Sequence, residues 1–154
     1  MSSRERKEAG GRLGPSVTAG YSGTPLVRKL GIAAGHTVAL VGEPSGFRDL
    51  LAPLPERVAF VSRHAPTVDI THLFAVRRTE LVRRVDEIRS RMRDDAVLWV
   101  SWPKKSSGVE SDITEDVIRQ VALPLGLVDV KVCAVDATWS GLKLVVRRGL
   151  RRRV

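Results

Sequence analysis

Residues 127–148 read LVDVKVCAVDATWSGLKLVVRR. Two apolar segments, 127–135 and 142–148, are separated by the short link DATWSG. A crossover between parallel strands needs about a dozen residues or more, whereas a short link joins antiparallel strands as a hairpin. The sequence therefore predicts that the chain closes with an antiparallel hairpin, which constrains the kind of sheet that the preceding strands build.

Upstream of the hairpin, predicted strands alternate with predicted helices. The run TVALVG at 37–42 is continuously apolar, which is typical of a strand buried on both faces. Further strands are predicted at 57–62, 68–76 and 96–102, and helices at 24–31, 46–52, 79–92 and 112–126. This order predicts a three-layer, Rossmann-like α/β domain. Its mostly parallel sheet of about six strands has helices on both faces and ends in the antiparallel hairpin.

Length and composition indicate one folded domain with polar ends. The chain has 154 residues, and we divide it into a flexible basic arm at 1–20, a single α/β domain at 21–148 and an Arg-rich tail at 149–154. No apolar run of 18 or more residues occurs, and the polar start contains no signal-peptide core. Because Cys133 is the only cysteine, it has no internal disulfide partner. We expect a soluble, cytoplasmic protein that does not associate with membranes.

The net charge of +9 is concentrated at the ends of the chain. Residues 1–12 carry +2, residues 147–154 carry +5, and the long middle segment carries only +2. A folded nucleic-acid reader usually carries its basic stripe on the folded surface. The tail residues Arg151, Arg152 and Arg153 are therefore the candidates for a weak, salt-sensitive contact with nucleic acid.

Several stretches of the chain resemble known families. The order of elements, with KLGIAAGHTVALVGEPSG at 29–46, resembles class I S-adenosylmethionine-dependent methyltransferases. Four segments look like the signature blocks of the bacterial family called domain of unknown function 3052: GYSGTPLVRKLGI, LWVSWPKKSSGV, DVIRQVALPLGLVDVKVCAVD and TWSGLKLVVRR. The resemblance implies a small methyltransferase-like α/β fold and brings no established chemistry with it.

The chain departs from the methyltransferase pattern where the cofactor would bind. The loop after the first strand, VGEPSGF at 41–47, contains only two glycines, and Pro44 removes one backbone donor. The acidic residue that ends the second strand in such enzymes and holds the ribose hydroxyls is replaced by the basic sequence SRH at 62–64. The cofactor is therefore unknown, and S-adenosylmethionine is possible but disfavoured.

The link between the second and third strands is too short for the usual architecture. Only five residues separate Ser62 from Val68, so the usual third strand and its helices are predicted to be missing. Two arrangements remain open: the 57–62 strand runs antiparallel to the next strand, or it is very short.

No catalytic or metal-binding set is evident. The three histidines, His36, His64 and His72, and Cys133 are scattered, and no two of them have the spacing of metal ligands. The common hydrolase and nucleotide-binding motifs are also absent. We predict no catalytic residue and no metal.

A ligand site is predicted at the carboxyl ends of the strands, where open α/β folds bind ligands. Trp102 is expected to be partly exposed there as a stacking face, with Lys104 or Lys105 facing the loop after the first strand. The alternative is a strand that ends in a solvated turn. We call this edge, with the loop after the first strand and the residues that follow Trp102, the rim. Trp139 is either part of the rim or a packing anchor for the hairpin. The candidate ligand-binding residues are Gly42, Glu43, Ser45, Gly46, Trp102, Lys104, Lys105 and Trp139.

Three functional hypotheses follow. The first is a methyltransferase-like domain without catalysis that binds an anionic small molecule or a protein partner at the sheet edge. The second is an S-adenosylmethionine-dependent methyltransferase with an atypical cofactor loop. The third is a nucleic-acid or transcription-associated regulatory binder that uses the Arg-rich tail.

Overall fold

A computed structural model describes residues 23–151 of the chain. The predicted arm at 1–20 lies outside the described residues, as do Arg152 and Arg153. The strands are β1 Thr37–Val41, β2 Ala59–Val61, β3 Ile70–Phe74, β4 Val97–Pro103, β5 Leu127–Ala134 and β6 Trp139–Val146. The α-helices are α1 Leu26–Lys29, α2 Arg78–Arg91 and α3 Glu115–Ala122, and short 3-10 turns cover Arg48–Leu51, Lys105–Ser107, Leu123–Leu125 and Arg148–Leu150.

The strands form one six-stranded sheet in the order β2-β1-β3-β4-β6-β5. Strands β1 to β4 are parallel to one another, and β6 is antiparallel to both β4 and β5. The hairpin turn is held by the Asp136 carboxylate, which accepts hydrogen bonds from the backbone N–H groups of Thr138 and Trp139 at 2.8 Å each. The predicted fold class and the closing hairpin are confirmed.

The second strand resolves the question that the sequence left open. β2 is parallel to β1 and only three residues long, and no helix or strand lies in the link 62–69 that leads to β3. Eight extended residues reach at most about 27 Å, which is enough to return along so short a strand and cross β1. The fold is therefore a truncated one that lacks a strand and the helices flanking it.

One face of the sheet, which we call the helical face, is covered by α2 and α3. The predicted stripe of α2 is confirmed, since Leu81, Val85, Ile88 and Met92 are all buried. At the start of α2, the backbone N–H of Arg78 donates to the Asp112 carboxylate at 2.7 Å. This cap fixes the end of α2 nearest to the carboxyl ends of the strands.

The opposite face, which we call the aromatic face, is covered by α1 and the 3-10 turn Arg48–Leu51. Large side chains fill this layer, among them Phe47, Phe74 and Trp99, which are at most 3% exposed. The indole N–H of Trp99 donates to the backbone carbonyl of Leu30 at 3.0 Å, which ties α1 to the centre of the sheet. Across residues 23–151, no helix combines the length and the apolar character needed to cross a membrane.

Candidate functional site

The loop after β1 is shaped by its two glycines. Gly42 has φ +72°, and a Cβ atom at this position would lie 2.9 Å from the carbonyl oxygen of Phe74. The end of β1 therefore approaches the end of β3 so closely that only glycine fits. Gly46 has φ +82° with open space around its Cβ position, so its glycine serves the turn. The room that a side chain at position 42 would need is taken by the chain's own backbone.

The acid and the aromatic residue of this loop have partners within the fold. The Arg48 guanidinium donates to both Glu43 carboxylate oxygens, at 3.1 and 3.2 Å, and lies 5.1 Å from the centre of the Phe60 ring. Phe47 is buried with its ring edge-on to His72 and Phe74, at centroid distances of 5.1 and 4.8 Å. Ser45 is exposed. The loop thus packs against the aromatic face through Phe47, and the charge of its Glu43 carboxylate is balanced by Arg48.

The two candidate tryptophans lie on opposite faces of the sheet. Trp102 is only 8% exposed and belongs to the core of the helical face, so the prediction of a partly exposed side chain is wrong. It is covered because β4 and β6 stay paired beyond it: Trp102 opposes Ser140, and Pro103 opposes Trp139. Trp139 is half-buried against the edge of Phe74, 5.2 Å away on the aromatic face. The two indoles cannot enclose one ligand.

The two lysines follow β4 directly. The backbone N–H of Lys104 donates to the Thr138 carbonyl at 2.8 Å, which anchors the end of β4 to the hairpin. The Lys104 side chain is half-exposed and that of Lys105 is exposed. Within residues 23–151, neither ammonium group has a hydrogen bond or an ion pair. The expectation that one of them faces Gly42–Gly46 stays a prediction.

His72 and Ser101 form a buried pair in the centre of the sheet. The Nε2 atom of His72 and the Ser101 hydroxyl are 2.7 Å apart, and the imidazole stacks on Phe74 with a centroid distance of 4.3 Å. Complete burial lowers the pKa of His72 to about 3. Because both side chains are enclosed, the pair holds two polar groups in the core and no reactant reaches it.

A polar concavity lies on the helical face, between the link 62–69 and α2. It measures about 370 Å³, and we call it the basic cavity. The link stands here in place of a helix and covers only part of the sheet beside α2. The polar residues that line the basic cavity are Ser62, Arg63, His64, Arg84, Glu87, Ser90 and Arg91.

Two buried atoms in the lining of this cavity have no hydrogen-bond partner. The His64 Nδ1 atom is 2.7 Å from the Thr71 hydroxyl, but within the described chain His64 Nε2 and Arg84 Nε are both buried and unpaired. The pKa of His64 is lowered, mainly because burial removes the imidazole from water. A hydrogen-bonding interaction with the Arg91 backbone raises the pKa, and the positive charge of Arg91 lowers it. The sequence pointed to this basic segment through SRH at 62–64 but left its place open, because the direction of β2 was undetermined.

The described residues define the groups that a metal or S-adenosylmethionine would meet. Residues 23–151 contain no cluster of three or more His, Cys, Asp or Glu side chains placed to hold a metal ion. S-adenosylmethionine is a sulfonium cation whose ribose hydroxyls need an acceptor. The end of β2 instead presents Arg63 and His64, and Glu43 is already paired with Arg48. The position at the end of β2 where such enzymes hold the ribose therefore carries basic residues in place of an acid.

Part of the predicted tail belongs to the folded domain. Residues Arg148–Leu150 form a 3-10 turn, and the Arg151 guanidinium donates to the Val146 carbonyl at 2.9 Å. Arg151 is the one tail arginine of the three nucleic-acid candidates that the described residues include, and it is tied back to β6.

Solved structures that resemble this fold include methyltransferases. An S-adenosylmethionine-dependent methyltransferase from Aquifex aeolicus is 15% identical over 79% of this chain and 88% of that chain, with a TM-score of 0.55. The N-methyltransferase NodS from Bradyrhizobium japonicum is 12% identical over 79% and 93%, with a TM-score of 0.53. The ribosomal protein L11 methylase from Lactobacillus delbrueckii subsp. bulgaricus is 13% identical over 80% and 76%, with a TM-score of 0.51.

These likenesses define the class of fold as a methyltransferase-like, Rossmann-like α/β domain of reduced size. At such low identities they show the fold alone. No family model matches the chain, and neither does any curated protein. Membership of the domain of unknown function 3052 family therefore stays a prediction.

Proposed function

We propose that this protein is a methyltransferase-like domain that does not transfer methyl groups and binds an anionic small molecule at the carboxyl edge of its sheet. The observation that carries the proposal is the charge at that edge. Basic residues follow β2 where an acid would hold a ribose, and the Glu43 carboxylate in the loop after β1 is neutralised by Arg48.

The rim residues support a ligand of negative charge. Lys104 and Lys105 follow β4 with unpaired ammonium groups among the described residues, and Gly42, Ser45 and Gly46 expose backbone at the end of β1. Trp139 offers the half-buried face of an indole beside Phe74. A cationic sulfonium is repelled by such a rim, whereas a carboxylate or phosphate is attracted to it.

Calorimetric titration of the full chain with S-adenosylmethionine and S-adenosylhomocysteine tests the proposal. We expect no binding at low-micromolar concentration, because a missing charge-assisted hydrogen bond costs about 1.5–3 kcal/mol, or about tenfold to a hundredfold in affinity. A catalytically active methyltransferase of the same fold is the positive control. Low-micromolar affinity for either compound contradicts the proposal.

The second candidate is an S-adenosylmethionine-dependent methyltransferase with an atypical cofactor loop. It is favoured by the likeness of about four fifths of this chain to such enzymes. Titration of the Arg63→Asp variant separates the two candidates. If the fold has lost only its ribose acceptor, the new carboxylate strengthens binding of S-adenosylhomocysteine. If the whole loop is closed to the cofactor, binding stays absent.

A further inference from the structure

We propose that the basic cavity is a binding site for a phosphate monoester, that is, a small molecule carrying one terminal phosphate group. The proposal goes beyond the rim site, because the basic cavity is formed by the link 62–69 and α2 and contains none of Gly42–Gly46, Lys104, Lys105 or Trp139; the two sites share only the basic residues that follow β2. It stands whether or not a ligand binds near Gly42–Gly46.

The basic cavity carries uncompensated positive charge. Arg63, Arg84 and Arg91 line the basic cavity, and within residues 23–151 none of the three has an ion pair or a side-chain hydrogen bond. The single acid of the lining, Glu87, is exposed, and its nearest cation is Arg83 at 4.0 Å. The lining therefore carries a net charge of about +2 with His64 neutral, which a dianion would balance.

Other arginines of the fold show what kind of partner a guanidinium finds here. Arg48, Arg93 and Arg119 each donate two hydrogen bonds of 2.9 to 3.2 Å to carboxylate oxygens. A guanidinium that is partly removed from water normally has such a partner. The three arginines of the basic cavity lack a carboxylate in the described chain. Arg63 and Arg91 are exposed to water, but Arg84 is half-buried, so an external anion would supply the partner that its buried Nε lacks.

Arg84 has a buried donor without an acceptor. Its Nε always carries a hydrogen, and leaving it buried without an acceptor costs free energy. When the Thr71 hydroxyl donates to His64 Nδ1, the proton of the neutral imidazole sits on Nε2, where the Arg91 backbone acts as a hydrogen-bond acceptor of poor geometry. A phosphate oxygen would accept a hydrogen bond from Arg84 Nε.

Cavity size and donor chemistry indicate the class of anion. At about 370 Å³ the basic cavity falls at the small end of ligand pockets, which measure roughly 300–1,000 Å³, and it exceeds what a bare phosphate ion fills. Three planar guanidinium groups offer more paired donors than one carboxylate accepts, but they match the terminal oxygens of a phosphate group. The apolar side chains of Val41 and Ile88 line the remaining space, where the organic part of an ester would lie.

Titration of the full chain at low ionic strength tests the inference, with glycerol 3-phosphate as the probe. We expect saturable binding and a rise in the thermal midpoint, because a ligand that binds only the folded state stabilises it. Glycerol should not bind, and orthophosphate should bind more weakly than the ester. Arg84→Gln should weaken binding of the ester about tenfold to a hundredfold. Arg28→Gln, which removes the same charge from an exposed position on α1, should leave the affinity unchanged.

Several results would overturn the inference. These are the absence of any binding by glycerol 3-phosphate, equal affinity in the parent chain and the Arg84→Gln variant, and orthophosphate binding more tightly than the ester. If circular dichroism shows that Arg84→Gln does not fold, the exposed Arg63→Gln replaces it with the same expected loss. Titration with S-adenosylmethionine on the same sample reports separately on the rim, so the two proposals fail independently.

Discussion

The two faces of the sheet are buried by different means. The helical face is covered by α2 and α3, of 14 and 8 residues, whose aliphatic side chains meet those of the strands. The aromatic face has only the four-residue α1 and a 3-10 turn above it, yet the strand residues at its centre are buried completely, while Phe60, Val97, Cys133 and Trp139 are half-buried. Large rings supply the missing volume there. The comparison shows that side-chain size can replace helix length in covering a sheet.

The same comparison locates the basic cavity. On the helical face, α2 and α3 lie over β4 and its neighbours, but beside α2 the link 62–69 replaces a helix with eight irregular residues. No large ring fills this gap as Phe47 fills the equivalent gap on the aromatic face. A truncated fold that leaves one face incompletely covered thus gains a concavity lined by polar side chains.

The strongest test of the comparison is truncation of the central ring on the aromatic face. We expect Trp99→Ala to lower the free energy of unfolding by about 3–5 kcal/mol, because it opens a cavity and leaves the Leu30 carbonyl without its donor. Leu81→Ala on the helical face should cost less, about 2–4 kcal/mol. Denaturant unfolding measures both.

Val82→Ala is the matched control for these substitutions, because Val82 neighbours Leu81 on α2 and is exposed. Its cost should stay within about 0.5 kcal/mol. If Leu81→Ala proves more costly than Trp99→Ala, the aromatic face does not depend on its large rings.

The helical face was the more predictable of the two, for a physical reason. An amphipathic helix repeats its apolar residues at a fixed spacing, so Leu81, Val85 and Ile88 could be placed on one buried face from local sequence alone. The aromatic face depends on contacts between distant residues. The bond from Trp99 to Leu30 joins positions 69 residues apart, and no local period encodes it.

The site was predicted less well, because it depends on strand order and direction. Alternation along β4 placed Trp102 and Trp99 on opposite faces, but it could not show that β6 continues past Trp102 and buries it. Likewise, SRH at 62–64 was visible as a basic segment. Its role in a cavity depends on β2 being short and parallel, which the sequence left undecided.

A second test uses the histidine enclosed on the aromatic face. Because the pKa of His72 is lowered to about 3, the folded protein keeps this side chain neutral at pH values where the unfolded chain, with its pKa near 6.5, is protonated. The free energy of unfolding should therefore fall as the pH is lowered below 6.5, by about 1.4 kcal/mol per pH unit. Between pH 6.5 and 4.5 the loss is about 2–3 kcal/mol.

The His72→Phe variant should be less stable at pH 7, because the Ser101 hydroxyl loses its partner, but its stability should depend less steeply on pH. The part of the slope due to His64, whose pKa is also lowered, remains. Phe74→Leu disturbs the same stack and keeps His72, so it should retain the full slope. An unchanged slope in His72→Phe would show that another group causes the loss of stability.

The last prediction concerns the effect on stability of two glycines in the loop between β1 and the 3-10 turn Arg48–Leu51. Gly46→Ala should cost about 1–2 kcal/mol, because a side chain at φ +82° is strained even in open space. Gly42→Ala should cost about 1 kcal/mol more, since its Cβ atom would also meet the Phe74 carbonyl at 2.9 Å, and backbone cannot swing aside. Gly149→Ala, with open space and no positive φ, is the near-neutral control.

Denaturant unfolding of the three variants measures the order of these costs directly. Equal costs at positions 42 and 46 would mean that β1 and β3 can separate. Gly42 would then serve the turn alone.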